Sequence, residues 1–247
     1  MIYDISTIVW REMMILRRRI IPFLFTRMVS PLLYLVTFGL GLGKNIRMDT
    51  GNYLDFVISG IIALNSMMVA FSSVAPPVCM SRILYMTFDE YRSAPISAAA
   101  YAWGHAIAAT VRALISSGII MVIAFLFGAN LRVDIYFILI LMANSMLFAF
   151  IGIVAAMLVN SHEDLNMATT YLIMPMSFLC GTFFRVDNFP PFLKTVVEFL
   201  PLTPASSLLR AIGSGSQPDR FFAILMIVYL LLAAVLAIWA IKSVRKG

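Results

Sequence analysis

Residues 135–159, IYFILILMANSMLFAFIGIVAAMLV, carry no acidic or basic side chain. A helix crosses the ~30 Å hydrocarbon core of a bilayer with roughly 20 apolar residues, each adding ~1.5 Å. This run is long enough, and in lipid only a helix or a closed barrel satisfies its own backbone. Five further runs read the same way, at 23–43, 54–78, 105–127, 165–184 and 221–241. The bulk composition agrees. The chain is 62% hydrophobic and 12% charged, with a mean hydropathy of +0.95, whereas a soluble domain holds roughly 45–50% apolar residues. The expected fold is an all-α integral membrane protein with six transmembrane helices. Little sequence is left between the spans, so residues 1–247 read as a single transmembrane domain without a separate soluble unit. The first run follows Arg17, Arg18 and Arg19, carries Arg27, and has no small-residue cleavage site, so it reads as a retained span.

The basic residues set the orientation. Arg11, Arg17, Arg18 and Arg19 precede the first span, and Lys242, Arg245 and Lys246 follow the last. Positive charge stays on the cytoplasmic side, which places both termini there and fits an even number of spans. A pI of about 9.5 is explained this way, and no nucleic-acid partner is needed. Cys79 and Cys180 fall at opposite ends of their spans, too far apart for a disulfide, and neither has ligand-spaced Cys or His neighbours for a metal.

Outside the spans several segments have a pattern of their own. Residues 4–20, DISTIVWREMMILRRRI, place Ile5, Ile8, Val9, Met13 and Leu16 at helical spacing, with Arg11, Glu12 and Arg18 between them and Trp10 as an anchor. That is the pattern of an amphipathic helix along the inner interface, or of a cytoplasmic extension of the first span; Pro22 and Pro31 favour a break between the two. Residues 44–53 and 128–134 read as short outer turns. Residues 160–164, NSHED, read as a solvated turn and helix cap rather than a metal cluster. Between spans five and six, FRVDNFPPFLKTVVEFLP offers Asn188 as a cap, Pro190 and Pro191 at a helix start and Pro201 as a stop. LTPASSLLRAIGSGSQ then offers Thr203 as a cap, Pro204 at the first helical position and Gly213 as a stop. The two pieces, within 186–213, are too short to span and read as a re-entrant outer helical hairpin.

Catalytic signatures are weak. TFGLGLGKN, residues 37–45, imitates a phosphate loop, but Phe38 stands where the first Gly belongs and Asn45 where Ser or Thr belongs. His105 and Arg112 lie seven residues apart without a nucleophile tied to them. A mid-membrane arginine costs on the order of 2.5–3.5 kcal/mol, so Arg112 must either snorkel or meet a partner inside the bundle. Residues 84–97, LYMTFDEYRSAPIS, are the exception to the apolar chain. Asp89, Glu90 and Arg92 keep residues 81–101 out of hydrocarbon and in the cytoplasm. Thr87 can cap a short helix, within 86–94, which Pro95 limits; Phe88, Tyr91 and Tyr85 would be aromatic anchors for a partner's pocket.

The basic amphipathic start, FDEYRSAPIS at 88–97 and FPPFLKTVVEFLPLTPASSLLRAI at 189–212 resemble the permease subunit of type-2 ABC exporters. The branch is the one holding nodulation-factor, antibiotic-resistance and polysaccharide exporters, and the resemblance covers essentially the whole chain. It implies a homodimer of permeases in the inner membrane of a bacterium, surrounded by membrane lipid, with two copies of a separate ATPase subunit. ATP and Mg would then sit in that partner, and no cofactor on this chain. The coupling helix falls on Phe88, Asp89, Glu90, Tyr91 and Arg92, and an outer lid on Phe189, Pro190, Pro191, Pro201 and Pro204. The cargo would be an amphiphile: a lipid, a glycolipid or polysaccharide, or a drug. Tyr34 and Phe38 on span one, with Asn65, Met68 and Ser72 at i, i+3 and i+7 on span two, are candidates to line its path, although ordinary helix packing uses the same spacing. A self-sufficient channel or secondary carrier is the rival; it would place ionisable residues deep in the spans, which here hold almost none, and no internal repeat is visible.

Overall fold

A computed structural model describes residues 1–34, 36–37, 53–94, 96–182 and 190–246, with the side chains of Arg27, Met28, Asp89, Arg92, Arg245 and Lys246 left aside. Among the described residues every regular element is helical: α1 (Ile2–Arg18), α2 (Ile20–Tyr34), α3 (Tyr53–Ile83), α4 (Phe88–Ser93), α5 (Ala98–Leu126), α6 (Ile135–Leu158), α7 (His162–Ala168), α8 (Met174–Leu179), α9 (Pro191–Glu198), α10 (Leu202–Gly213) and α11 (Arg220–Lys246). Four of these are long and apolar enough to cross a membrane: α3, α5, α6 and, over Arg220–Val244, α11. The shorter α2 begins the first expected span.

α3 is the centre of the bundle. It packs against α5, α6 and α10, while α11 lies outside against α6, α10 and α5. Close approach is possible because the facing residues are small. α5 buries Ala98, Ala102, Gly104, Ala106, Ala109 and Ala113, as expected where helices associate by packing rather than by hydrophobic transfer. Gly60 of α3 touches the backbone at Thr182, where a Cβ would stand 2.4 Å from the carbonyl oxygen. Buried amides clamp the same helices. Asn144 of α6 donates to Ala63 O (3.1 Å) and Ser66 Oγ (2.7 Å), and Asn65 donates to Ser116 Oγ (3.2 Å) and Ser117 Oγ (3.1 Å).

Local chemistry sets the helix ends. The break between α1 and α2 falls at Arg19, with φ −126° and ψ 26°. Pro22 sits in the first turn of α2, where its missing N–H costs nothing, and Pro31 stays inside the helix. Ser161 caps α7 by accepting from Asp164 N–H at 3.0 Å, and Asp164 reaches back to Asn160 N–H at 3.3 Å. The fifth expected span is interrupted: a π turn at Thr169–Ile173 joins α7 to α8, and Met174 N–H bonds Thr169 O, five residues back. Pro175 explains the widening, since it has no N–H to offer four residues back and its ring crowds the carbonyl there. At the C-terminal end of α3, Arg82 donates to Met157 O and Val159 O and so closes the C-terminus of α6.

Two expected caps are replaced. Thr87 makes no side-chain cap to α4; its hydroxyl turns back toward Ser81 O at 3.5 Å. Thr203 lies inside α10, which starts at Leu202, and bonds Val197 O, joining α10 to α9. The C-terminal turn of α10 is reversed by Gly215 at φ +76°, a conformation glycine adopts without steric cost. Asn188, Pro95 and residues 44–52 lie outside the described residues.

Candidate coupling site

The short helix α4 is reached from α3 through a tight turn in which Leu84 and Tyr85 N–H both bond Met80 O at 3.0 Å. Met86 follows at φ +53°, a left-handed conformation costly for a residue with a side chain. At the other end Ala94 is extended, as the residue before a proline must be, and Ser97 caps α5 by accepting from Ala100 N–H at 3.1 Å. α4 is thereby held between two fixed helix ends.

Its aromatic side chains face inward. Phe88 is only 5% exposed and meets the Tyr101 ring edge-on at 5.7 Å; Tyr91 meets the same ring at 5.0 Å. Such edge contacts stabilise by about 0.5–1.5 kcal/mol each beyond burial. Phe88 and Tyr91, read from the sequence as aromatic anchors for a partner, fasten α4 to α5 through Tyr101. Among the described residues from Leu84 to Ser93, Leu84, Tyr85 at 63%, Met86, Glu90 and Ser93 are exposed. The side chains of Asp89 and Arg92 lie outside the described set.

A second fastening comes from α1. Ile8, Glu12 and Leu16 form its buried stripe, and Ile8 sits directly on Gly104, where a Cβ would come within 2.8 Å of it. Glu12 thus belongs to the packed face rather than among the solvated positions. It is 7% exposed and Arg112 is 8% exposed, and the two form an ion pair at 2.7 Å. Arg112 also donates to Glu12 O at 2.9 Å and Ser73 O at 3.4 Å. Of the two fates open to Arg112, the structure selects the partner. His105 Nδ1 stands 3.9 Å and Arg11 Nη2 3.8 Å from the other carboxylate oxygen. Arg11 lies over the Tyr91 ring at 5.5 Å, and the Tyr101 and His105 rings are 4.5 Å apart. A continuous line of contacts therefore runs from α4 through Tyr101 and His105 to Glu12 and Arg112, tying α1, α4 and α5 together.

The candidate path residues separate. Asn65 is buried in the α3–α5 clamp, whereas Met68, one turn on, is exposed. Ser72 is half-buried, with its hydroxyl bonded to Met68 O, and Tyr34 is half-buried against the core. Phe38 and Phe189 lie outside the described residues. In the segment between α8 and α11, Pro190 and Pro191 start α9 and are exposed, Pro201 is half-buried, and Pro204 is buried within α10. α10 is secured by Ser206 donating to Cys180 O at 2.7 Å and by Arg210, which donates to Gly181 O and lies 3.6 Å over the Phe56 ring.

Residues 3–214 match the ABC-2 type transporter family, taking in α1 through α10. This chain belongs to that family. The permease is similar to Nodulation protein J of Rhizobium leguminosarum bv. trifolii, 28% identical over 214 residues that cover 84% of this chain and 80% of that relative. It is similar also to Nodulation protein J of Rhizobium meliloti, 26% identical over 212 residues, covering 84% and 80%. The Inner membrane transport permease YadH of Escherichia coli K12 is 23% identical over 177 residues, covering 70% and 68%. A permease of this family is the membrane transport subunit of an ABC transporter, is not itself the ATPase, and implies an ATP-binding partner.

Proposed function

We propose that this permease is half of an exporter's membrane part: two copies pair, each seated on a separate ATPase subunit that binds ATP and Mg on the cytoplasmic side. The observation that carries the reading is the double fastening of α4, through Tyr101 to α5 and through Arg11 to α1, with Leu84, Tyr85, Met86 and Glu90 left exposed. A surface whose described residues include apolar and aromatic groups and the charged Glu90 suits a partner's pocket. Helices held this tightly to α4 would move with it, so closure of the ATPases would tilt α1 and α5 and switch the path from inward to outward access. Six spans follow if α2 and the interrupted helix His162–Leu179 join the four long helices, and both basic tails then lie on the cytoplasmic side of a bacterial inner membrane. The α9–α10 hairpin serves as the outer lid, and Met68, Ser72 and Tyr34 are the described residues best placed to line a path between the two copies. The cargo is an amphiphile: a lipid, a glycolipid or polysaccharide, or a drug.

The test is co-purification from native membranes of the wild type and of the exposed-surface variants Tyr85→Ala and Glu90→Lys. Both variants should remain monodisperse and lose roughly tenfold or more of the associated ATPase, equivalent to about 1.4 kcal/mol. Unchanged ATPase association together with unchanged substrate-stimulated hydrolysis would remove α4 from the interface.

A further inference from the structure

At the far end of the molecule from α4, a cavity of about 500 Å³ opens between α6, α10 and α11. That volume lies within the ~300–1,000 Å³ typical of small-molecule sites. Its polar and apolar residues are segregated. Arg132, Asp134, Gly215 and Ser216 gather at one end, by the start of α6 and the turn after α10. Leu139, Ala143, Leu208, Met226 and Leu230 line the remainder. Leu230 lies about 15 Å along α11 from Arg220, and Ala143 about 13 Å along α6 from Asp134, at ~1.5 Å per residue. One leaflet of hydrocarbon is roughly half of ~30 Å thick. The groove therefore runs from a charged mouth at the depth of the headgroups to an apolar floor near the midplane.

The mouth is shaped by the backbone. Arg132 N–H donates to Gly213 O at 3.1 Å, which binds the α5–α6 connection to the end of α10. The Arg132 guanidinium rests on Gly215, where even a methyl group would stand 3.0 Å from Nη1. Asn130 N–H, in the same connection, bonds Asp55 Oδ1 of α3 at 2.8 Å. Among the described residues neither Arg132 nor Asp134 enters an ion pair, with each other or with any third group, and both are exposed. Two opposite charges kept apart above one apolar groove complement a ligand that itself carries an anion and a cation above a hydrocarbon chain.

We propose that this groove is a binding site for one zwitterionic glycerophospholipid, with its phosphate at Arg132, its ammonium at Asp134 and one acyl chain along Leu139, Ala143 and Met226. The lipid belongs to the leaflet that holds the α5–α6 connection, the outer one when the basic tails lie inside. The site is independent of α4 and of any ATPase.

The test uses the full-length permease, delipidated in mild detergent and titrated with phosphatidylethanolamine or phosphatidylglycerol, with bound lipid counted by native mass spectrometry. The wild type should hold one phosphatidylethanolamine per chain beyond the exchangeable detergent-like shell. Arg132→Gln should weaken retention of both lipids roughly tenfold, the loss of one charge-assisted contact worth about 1.4 kcal/mol. Asp134→Asn should reverse the preference toward phosphatidylglycerol. Ala143→Phe, which fills the groove, should abolish the tight lipid, with monodispersity on gel filtration as the folding control. Because Arg132 is exposed, its variant carries the test even if Ala143→Phe fails to fold. Retention unchanged in Arg132→Gln would reduce the site to ordinary lipid solvation and overturn the proposal. So would equal competition by inorganic phosphate, or a dimer broken by Ala143→Phe with its lipid count intact, which would give the groove to a second copy of the chain.

Discussion

Glu12→Gln is the most informative single change in this permease. It removes the carboxylate that faces Arg112 at 2.7 Å while keeping the size of the side chain. Both side chains are 10% exposed, so solvent screens the pair little. Removing one partner of a buried ion pair costs on the order of 3–5 kcal/mol, because the other charge is left uncompensated. Arg112 keeps the Glu12 main-chain carbonyl at 2.9 Å and Ser73 O at 3.4 Å, which places the loss at the lower end, about 3 kcal/mol. For a chain of this size that is a drop of roughly 6–12 °C in the unfolding midpoint. The assay is thermal unfolding in detergent followed by gel filtration, on Glu12→Gln, Arg112→Met and the double variant. The double variant should recover most of the loss, since both desolvation penalties disappear together. A coupling energy above ~1 kcal/mol in the cycle is expected for residues in contact. Single variants within ~0.5 kcal/mol of the wild type, or strictly additive losses, would refute the claim that this pair docks α1 onto α5.

Two further outcomes follow from the packing. Gly60→Ala puts a methyl group 2.4 Å from the Thr182 carbonyl oxygen, backbone against backbone, so it should lower stability by about 1–3 kcal/mol, read by the same unfolding assay; a neutral result would mean that α3 and residue 182 do not touch. Tyr101→Leu keeps the site apolar but removes the edge contacts with Phe88 and Tyr91 at 5.7 and 5.0 Å, so it should cost about 1–3 kcal/mol and lower ATPase stimulation more than ATPase binding; equal loss of both would place Tyr101 in the interface rather than behind it.

Much of the arrangement was legible residue by residue. The uncharged run at 135–159 is the helix Ile135–Leu158, the amphipathic start is α1, and Asp89, Glu90 and Arg92 mark a short helix between two long ones. What the sequence leaves open is the face a side chain presents. Its charge suggests the polar side of α1 for Glu12, whereas its spacing of four residues from both Ile8 and Leu16 puts it on the buried stripe. That Tyr101, some ten residues on, takes the edges of both Phe88 and Tyr91 has no signal in the sequence, where aromatic residues near charges read equally as anchors for a partner. Arg82 carries no sequence signal at all for its bond to the end of α6, about 75 residues away.

Composition and the length of the apolar runs determined that the chain lives in a bilayer as helices, because only helices and closed barrels satisfy their backbone in hydrocarbon and runs of about 20 apolar residues suit helices rather than short barrel strands. The positions of the charges set the expectation for which segments stay out of the hydrocarbon, because buried charge is costly. Only the tertiary structure decided which apolar helix is interior. α3 and α11 are both rich in Ile, Leu, Val, Phe and Ala, yet α3 is enclosed by its neighbours while Ile224, Ile227, Leu231, Val235 and Trp239 of α11 are exposed. The exposed α11 is the more apolar of the two, because lipid accepts apolar surface as readily as a helix does; small residues and buried polar partners are what draw α3 inside. Those partners, Glu12 with Arg112 and Asn65 with Ser116 and Ser117, meet only when helices far apart in sequence come together.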